Sequence, residues 1–148
     1  MFKQEKGVTL VALVITIIVL LILAGVSIAM LTGDNGILTK ASDSKETNAK
    51  AQITEDVSLA ISEIMANKMD PSYTGSDNTI TAATIAKLAK ANDASLTIAA
   101  ASTDADVDAT ESVGAKHNLT AKLHGINFTV CYTEKTATTP ADIAVTKD

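Results

Sequence analysis

Three aspartates alternate along one stretch, Asp104, Asp106 and Asp108. In that spacing carboxylates can offer oxygen ligands to a hard cation, as the opening of a calcium loop does. The rest of the loop does not fit that use. Ala109 stands where the sharp turn wants Gly, and Ala115 where a bidentate Glu would close the cage. A different arrangement that recruits Glu111 is left open, and a solvated acidic loop is the expectation. His117 and His124 have no partner at a metal-ligand spacing, and the lone Cys131 adds too little for zinc. Cys131 also lacks the basic neighbour or helix start that would make it a reactive thiolate, and it cannot form a disulfide within the chain. Asn118-Leu119-Thr120 and Asn127-Phe128-Thr129 match the N-glycosylation pattern only as often as chance allows, while the many Ser and Thr residues permit O-linked sugars. With no nucleophile–base pair, phosphate loop or metal cluster, neither catalysis nor a cofactor is expected.

The informative stretch lies at the other end of the chain. Val8 to Leu31 holds 24 residues without a charge or a Pro, and with one Gly, Gly25. As a helix it would extend roughly 36 Å, enough to cross a bilayer core of about 30 Å. A leader, MFKQEKG, precedes it with a net charge of +1, leaving the rest of the chain at −6. The leader lysines Lys3 and Lys6 favour a cytoplasmic N-terminus and an external C-terminal body. That body of about 115 residues is acidic and lacks Arg, which argues against nucleic acid or an anionic membrane surface as its partner.

The apolar run is long for a secretion signal, although Ser27-Ile28-Ala29 could serve as a cleavage site. The junction Lys6-Gly7-Val8-Thr9-Leu10, with Gly directly before an uninterrupted hydrophobic helix, resembles the processing site of type IV prepilins and pseudopilins. The resemblance rests on Lys6, Gly7, Thr9, Leu10 and the run to Leu31. It implies cleavage between Gly7 and Val8 by a prepilin peptidase, and methylation of the new N-terminus. It further implies extraction by an assembly platform with its ATPase, and packing of Thr9, Leu10, Ala12, Thr16 and Gly25 in a filament core made of many copies. One position departs from the family. Ala12 replaces the usual Glu, and no acid occurs from Val8 to Gly33. An unpaired ammonium in an apolar core costs several kcal/mol, so the Val8 amine must be solvated, neutral, or bonded to hydroxyls such as Thr9 and Thr16 or to carbonyls. A minor or tip subunit, or a filament type that tolerates the loss, would account for the difference. A simple single-pass anchor and a secreted protein are the rival readings.

Thr32-Gly33-Asp34-Asn35-Gly36 then breaks the helix. It is either a loop where the chain leaves the bilayer or a place where one long helix can kink or stretch, as Gly33 and Gly36 would allow; Gram-positive pilin-like proteins show similar breaks. Ile37 to Met69 reads as an amphipathic helix with the stripe Ala49, Ile53, Val57, Ala60 and Ile64. Glu46, Lys50, Glu55, Asp56 and Glu63 fall mostly off its centre, and Leu59 and Met65 are free to meet neighbours. Asp70-Pro71 stops this helix. Thr81 to Ala91 predicts a second helix, with Thr81 as N-cap and Ile80 and Ile85 as a hydrophobic staple. Ser95 to Ile98 begins a strand.

Leu119 to Leu123 and Ile126 to Val130 flank the turn His124-Gly125 and predict a hairpin. Its register sets Leu123 against Ile126, Ala121 against Phe128 and Leu119 against Val130, with all six on one face and Cys131 on the other. Ile143 to Val145 adds an edge strand. The predicted fold class is α+β, a long N-terminal helix continuing into an amphipathic helix packed on a small antiparallel sheet, as in pilins. Four parts follow: a leader (1–7), a filament-core helix (8–31), a break (32–36) and a head (37–148). With Phe2 lost in the leader, Tyr73, Phe128 and Tyr132 are too few aromatics to conduct electrons. The expected function is a filament subunit on the cell surface, with other copies of itself as its main partner.

Overall fold

The structure is a computed structural model that describes residues 5–102, 105–108 and 114–148, the side chains of 5–8 excepted. The chain divides into two compact units, one ending at Ser44 and the other formed by Lys45–Asp148. In the first unit, helix α1 runs Glu5–Thr32 and stops at the glycine break. Helix α2, Ile37–Met69, begins directly after it.

Glycine at Gly33 and Gly36 is dictated by close backbone approach. A Cβ on Gly36 would lie 2.6 Å from the Leu31 carbonyl oxygen and 2.8 Å from that of Gly33. One on Gly33 would sit 2.8 Å from the Ala29 carbonyl oxygen. The Gly33 N–H bonds to Ala29 O at 3.0 Å, and the Gly36 N–H to Gly33 O at 2.6 Å. The Thr39 hydroxyl also donates to Gly33 O, at 3.2 Å. A tight, hydrogen-bonded turn therefore separates the two helices, as the breaker residues predict.

The second unit is an antiparallel five-stranded sheet with helices on one face. Strands β1 (Thr97–Ala100), β2 (Asp106–Val107), β3 (Lys116–Leu123), β4 (Ile126–Thr133) and β5 (Asp142–Lys147) are ordered β1-β3-β4-β5, with β2 also pairing β3. The hairpin register is the predicted one: Leu119 faces Val130, Ala121 faces Phe128 and Leu123 faces Ile126. The reason is local. His124 and Gly125 both take positive φ, 52° and 82°, which suits the turn that matches strand twist. Burial then alternates along β3 and β4, so a slip of one residue would expose the whole apolar set.

Helix α3 (Ala82–Asn92) starts where expected, its Thr84 N–H bonded to the Thr81 hydroxyl at 3.1 Å. Ile85, Leu88 and Ala89 join the α2 stripe, Leu96, Ile98, Phe128 and Val130 in one core. Val57, Ile53 and Ile64 are fully buried there, so the sheet packs on the predicted face of α2.

One residue departs from the expected pattern. Asp56 is expected with the polar residues mostly off the stripe's centre, yet it is buried and its Oδ2 makes no hydrogen bond. The buried face is wider than five residues, and Asp56 lies on it between Ile53 and Ala60 at helical steps of 3 and 4. Burial, and then the nearby Asp93 and Glu55 charges, hold its carboxyl above the usual carboxylate range. The native state thus keeps this proton to a higher pH than the unfolded chain does. The stability it contributes is full below the unfolded value and is lost as pH rises through the folded one. Asp56→Ala is therefore expected to raise stability at pH 7 by about 1–2 kcal/mol. It should also flatten the decline in stability above about pH 4, measured by urea unfolding at several pH values.

Candidate functional site

Helix α1 carries the residues that the sequence singled out. Every large apolar side chain from Leu10 to Leu31 is 46–73% exposed. This is the one helix among the described residues long and apolar enough to cross a membrane. Three of its hydroxyls are satisfied within the helix. Thr16 donates to Leu13 O at 2.7 Å, Ser27 to Leu23 O at 2.8 Å and Thr32 to Ile28 O at 2.9 Å. Such back-bonding leaves a helix surface that needs no water. Thr9, Leu10, Ala12 and Thr16 are exposed along it, and a Cβ on Gly25 would meet nothing within 4 Å. Gly7 and Val8 lie on helical backbone, because α1 begins at Glu5 rather than after the leader.

At the far end of α1 the break opens a groove of about 700 Å³. Val26, Met30 and Ile37 supply apolar wall, and Asp34 and Asn35 supply polar groups. The negative end of the α1 dipole and the positive end of the α2 dipole meet at this break, and the Ile28, Ala29 and Gly33 carbonyl oxygens already accept hydrogen bonds there.

The head holds an arrangement that the sequence reading passed over. His117 is buried on β3 with both ring nitrogens engaged. Nδ1 lies 2.5 Å from Asp106 Oδ1, and Nε2 lies 2.8 Å from Glu134 Oε1. The ring stacks on Tyr132, centroids 5.9 Å apart. A carboxyl group thus stands at each ring nitrogen. Asp106 Oδ1 also accepts the Ala82 N–H at 2.7 Å, at the start of α3. The cluster thus joins β2, β3, the residue after β4 and the N-terminus of α3. It engages both imidazole nitrogens and leaves neither free as a base or a ligand. Burial, then the charge of Glu134, pushes the Tyr132 hydroxyl up.

Asp106 is exposed, as expected of the acidic stretch, but it lies on a two-residue strand rather than in a loop. Asp108 follows that strand, while Asp104 and Glu111 lie outside the described residues. Among the described residues no three His, Cys, Asp or Glu side chains gather for a metal. The signal for His117 was present in the alternation, which puts it in phase with Leu119, Ala121 and Leu123. Cys131 is half-buried, opposite Asn118 as the register requires, and His124 belongs to the turn. Leu59 and Met65 are 51% and 44% exposed on α2. Compared with protein-family models, curated proteins and solved structures, the chain finds no match.

Proposed function

We propose that this chain is a structural subunit of a type IV pilus-like extracellular filament, cut by a prepilin peptidase after Gly7 and assembled through its N-terminal helix. The observation that carries the reading is the junction of a charged leader ending Lys6-Gly7 with a helix whose apolar side chains are bare from Leu10 to Leu31. That surface is stable against lipid tails. Leaving the bilayer would expose it to water, at about 25 cal/mol per Å² of apolar area, unless another apolar surface replaces the lipid. Copies of the same helix supply that surface, and the small residues Ala12, Ala24, Gly25, Ser27 and Ala29 permit their close approach. The platform ATPase drives the transfer, and the head remains in water.

Ala12 favours a second reading, a minor or tip subunit of a secretion or DNA-uptake system, since such a subunit needs no acidic partner at that position. The intact mass of the mature chain tests the family reading directly. A chain beginning at Val8 is the expected result. One beginning at Met1 would establish a simple anchor, and one beginning near Met30 a secreted protein.

A further inference from the structure

The head buries a carboxyl oxygen that nothing within it satisfies. Asp56 is 8% exposed on α2, and its Oδ2 has no hydrogen-bond partner. A buried acceptor left unpaired is costly, and each such group in a native fold calls for an explanation, a bound ion among them. Gln52 lies one turn before Asp56 on α2 and donates from Nε2 to Asp93 Oδ2 at 2.7 Å. That bond brings Asp93, the residue that ends α3, alongside Asp56. The charges acting on Asp56 are those of Asp93 and Glu55, both negative. Among the described residues no lysine pairs with Asp56 or Asp93. His124, whose charge reaches Asp93 from the hairpin turn, is exposed. We infer that Asp56 Oδ2 and Asp93 Oδ2 together hold a hard divalent cation of the calcium type.

The second carboxylate is held ready for that use. The Ser95 N–H and hydroxyl both donate to Asp93 Oδ1 at 2.7 Å, and Gln52 fixes Oδ2, which is how metal-ligating carboxylates are oriented. The Ser95 hydroxyl also lies 2.9 Å from Oδ2, but its single proton serves one oxygen at a time. Oδ2 therefore keeps a lone pair beyond its bond to Gln52. Turning the Gln52 amide over would offer its oxygen as a third ligand. Two carboxylates cancel the charge of a divalent ion, and calcium fills the rest of its shell with water in irregular geometry, where magnesium demands a near-ideal octahedron. Asp93 is half-buried, so the corner is open to solvent on one side and an ion has a way in.

Amide hydrogen exchange of the detergent-solubilised full chain, in about 10 mM calcium chloride against EGTA, tests the site. A Kd of about 10⁻³ M, at the weak end for calcium sites, multiplies the folding equilibrium by about 11 at that concentration. Protection of the slowest amides in β3 and β4 should rise about tenfold. Asp56→Asn and Asp93→Asn should each lose that rise, while Asp108→Asn, in the acidic stretch, should keep it. In EGTA, Asp56→Asn should be at least as protected as the wild type, since the buried carboxyl then has no ion to meet. Asp93→Asn, at the half-buried position, decides alone if Asp56→Asn does not fold. No rise in the wild type, an equal rise from sodium chloride at the same ionic strength, or a rise that survives either substitution would overturn the site.

Discussion

Phe128→Ala will cost the head about 3–5 kcal/mol, the range for removing a buried aromatic side chain and leaving a cavity. Phe128 is fully buried on β4, paired with Ala121 across the hairpin and packed in the core that joins α2, α3 and the sheet. A domain of this size is stable by only about 5–15 kcal/mol, so one substitution removes much of the total. Amide hydrogen exchange on β3 and β4 in the detergent-solubilised full chain is the suitable measurement. Protection there should fall about 10²–10⁴-fold. Exchange within α1 should not change, because its hydrogen bonds are local and Phe128 belongs to the other unit. Protection on β3 and β4 that fell less than tenfold would show that the hairpin is not held by this core.

Leu20→Arg separates the two environments that α1 is proposed to occupy. A central arginine costs insertion about 2.5–3.5 kcal/mol, while each Leu, Ile, Val or Phe returns only about 0.3–0.6. Leu10 to Leu31 contains enough such residues to keep the helix in the bilayer, and a long arginine can reach an interface. Membrane fractionation should therefore find the variant still inserted. A filament core is less forgiving, because packed neighbours leave the guanidinium neither water nor headgroups. Sheared-filament yield should drop at least tenfold. Equal yield from Leu20→Arg and wild type would mean that this face of α1 is not enclosed by sister helices.

The hairpin was legible because its sequence pattern has a period of two and a turn that tolerates positive φ, so Leu119, Ala121, Leu123, Phe128 and Val130 could be paired without knowing the rest. Helix α3 was legible for a similar reason, since its cap, Thr81, is local chemistry. The break was readable from Gly33 and Gly36, although the cause, two close carbonyl approaches, belongs to three dimensions. What escaped depended on distant partners. Asp106 and Glu134 are 11 and 17 residues from His117, so nothing near the histidine announces its clamp. β2 escaped with it, because a strand of two residues has no periodicity to detect. Asp56 was placed outside the core because a charge normally marks the solvated face, and here helical spacing prevails over residue type.

The turn between the two helices has a mechanical consequence. Gly33–Gly36 is fastened by four short-range hydrogen bonds, from Gly33 N, Gly36 N, Lys40 N and the Thr39 hydroxyl, and by no side-chain packing of the glycines themselves. Under tension those bonds would release before a helix interior does. Drawn straight, four residues span about 13 Å, more than they do when folded into the turn. Each copy would carry its own few ångströms of slack, and a polymer of such copies would behave as a soft spring whose stiff coils are the helices on either side.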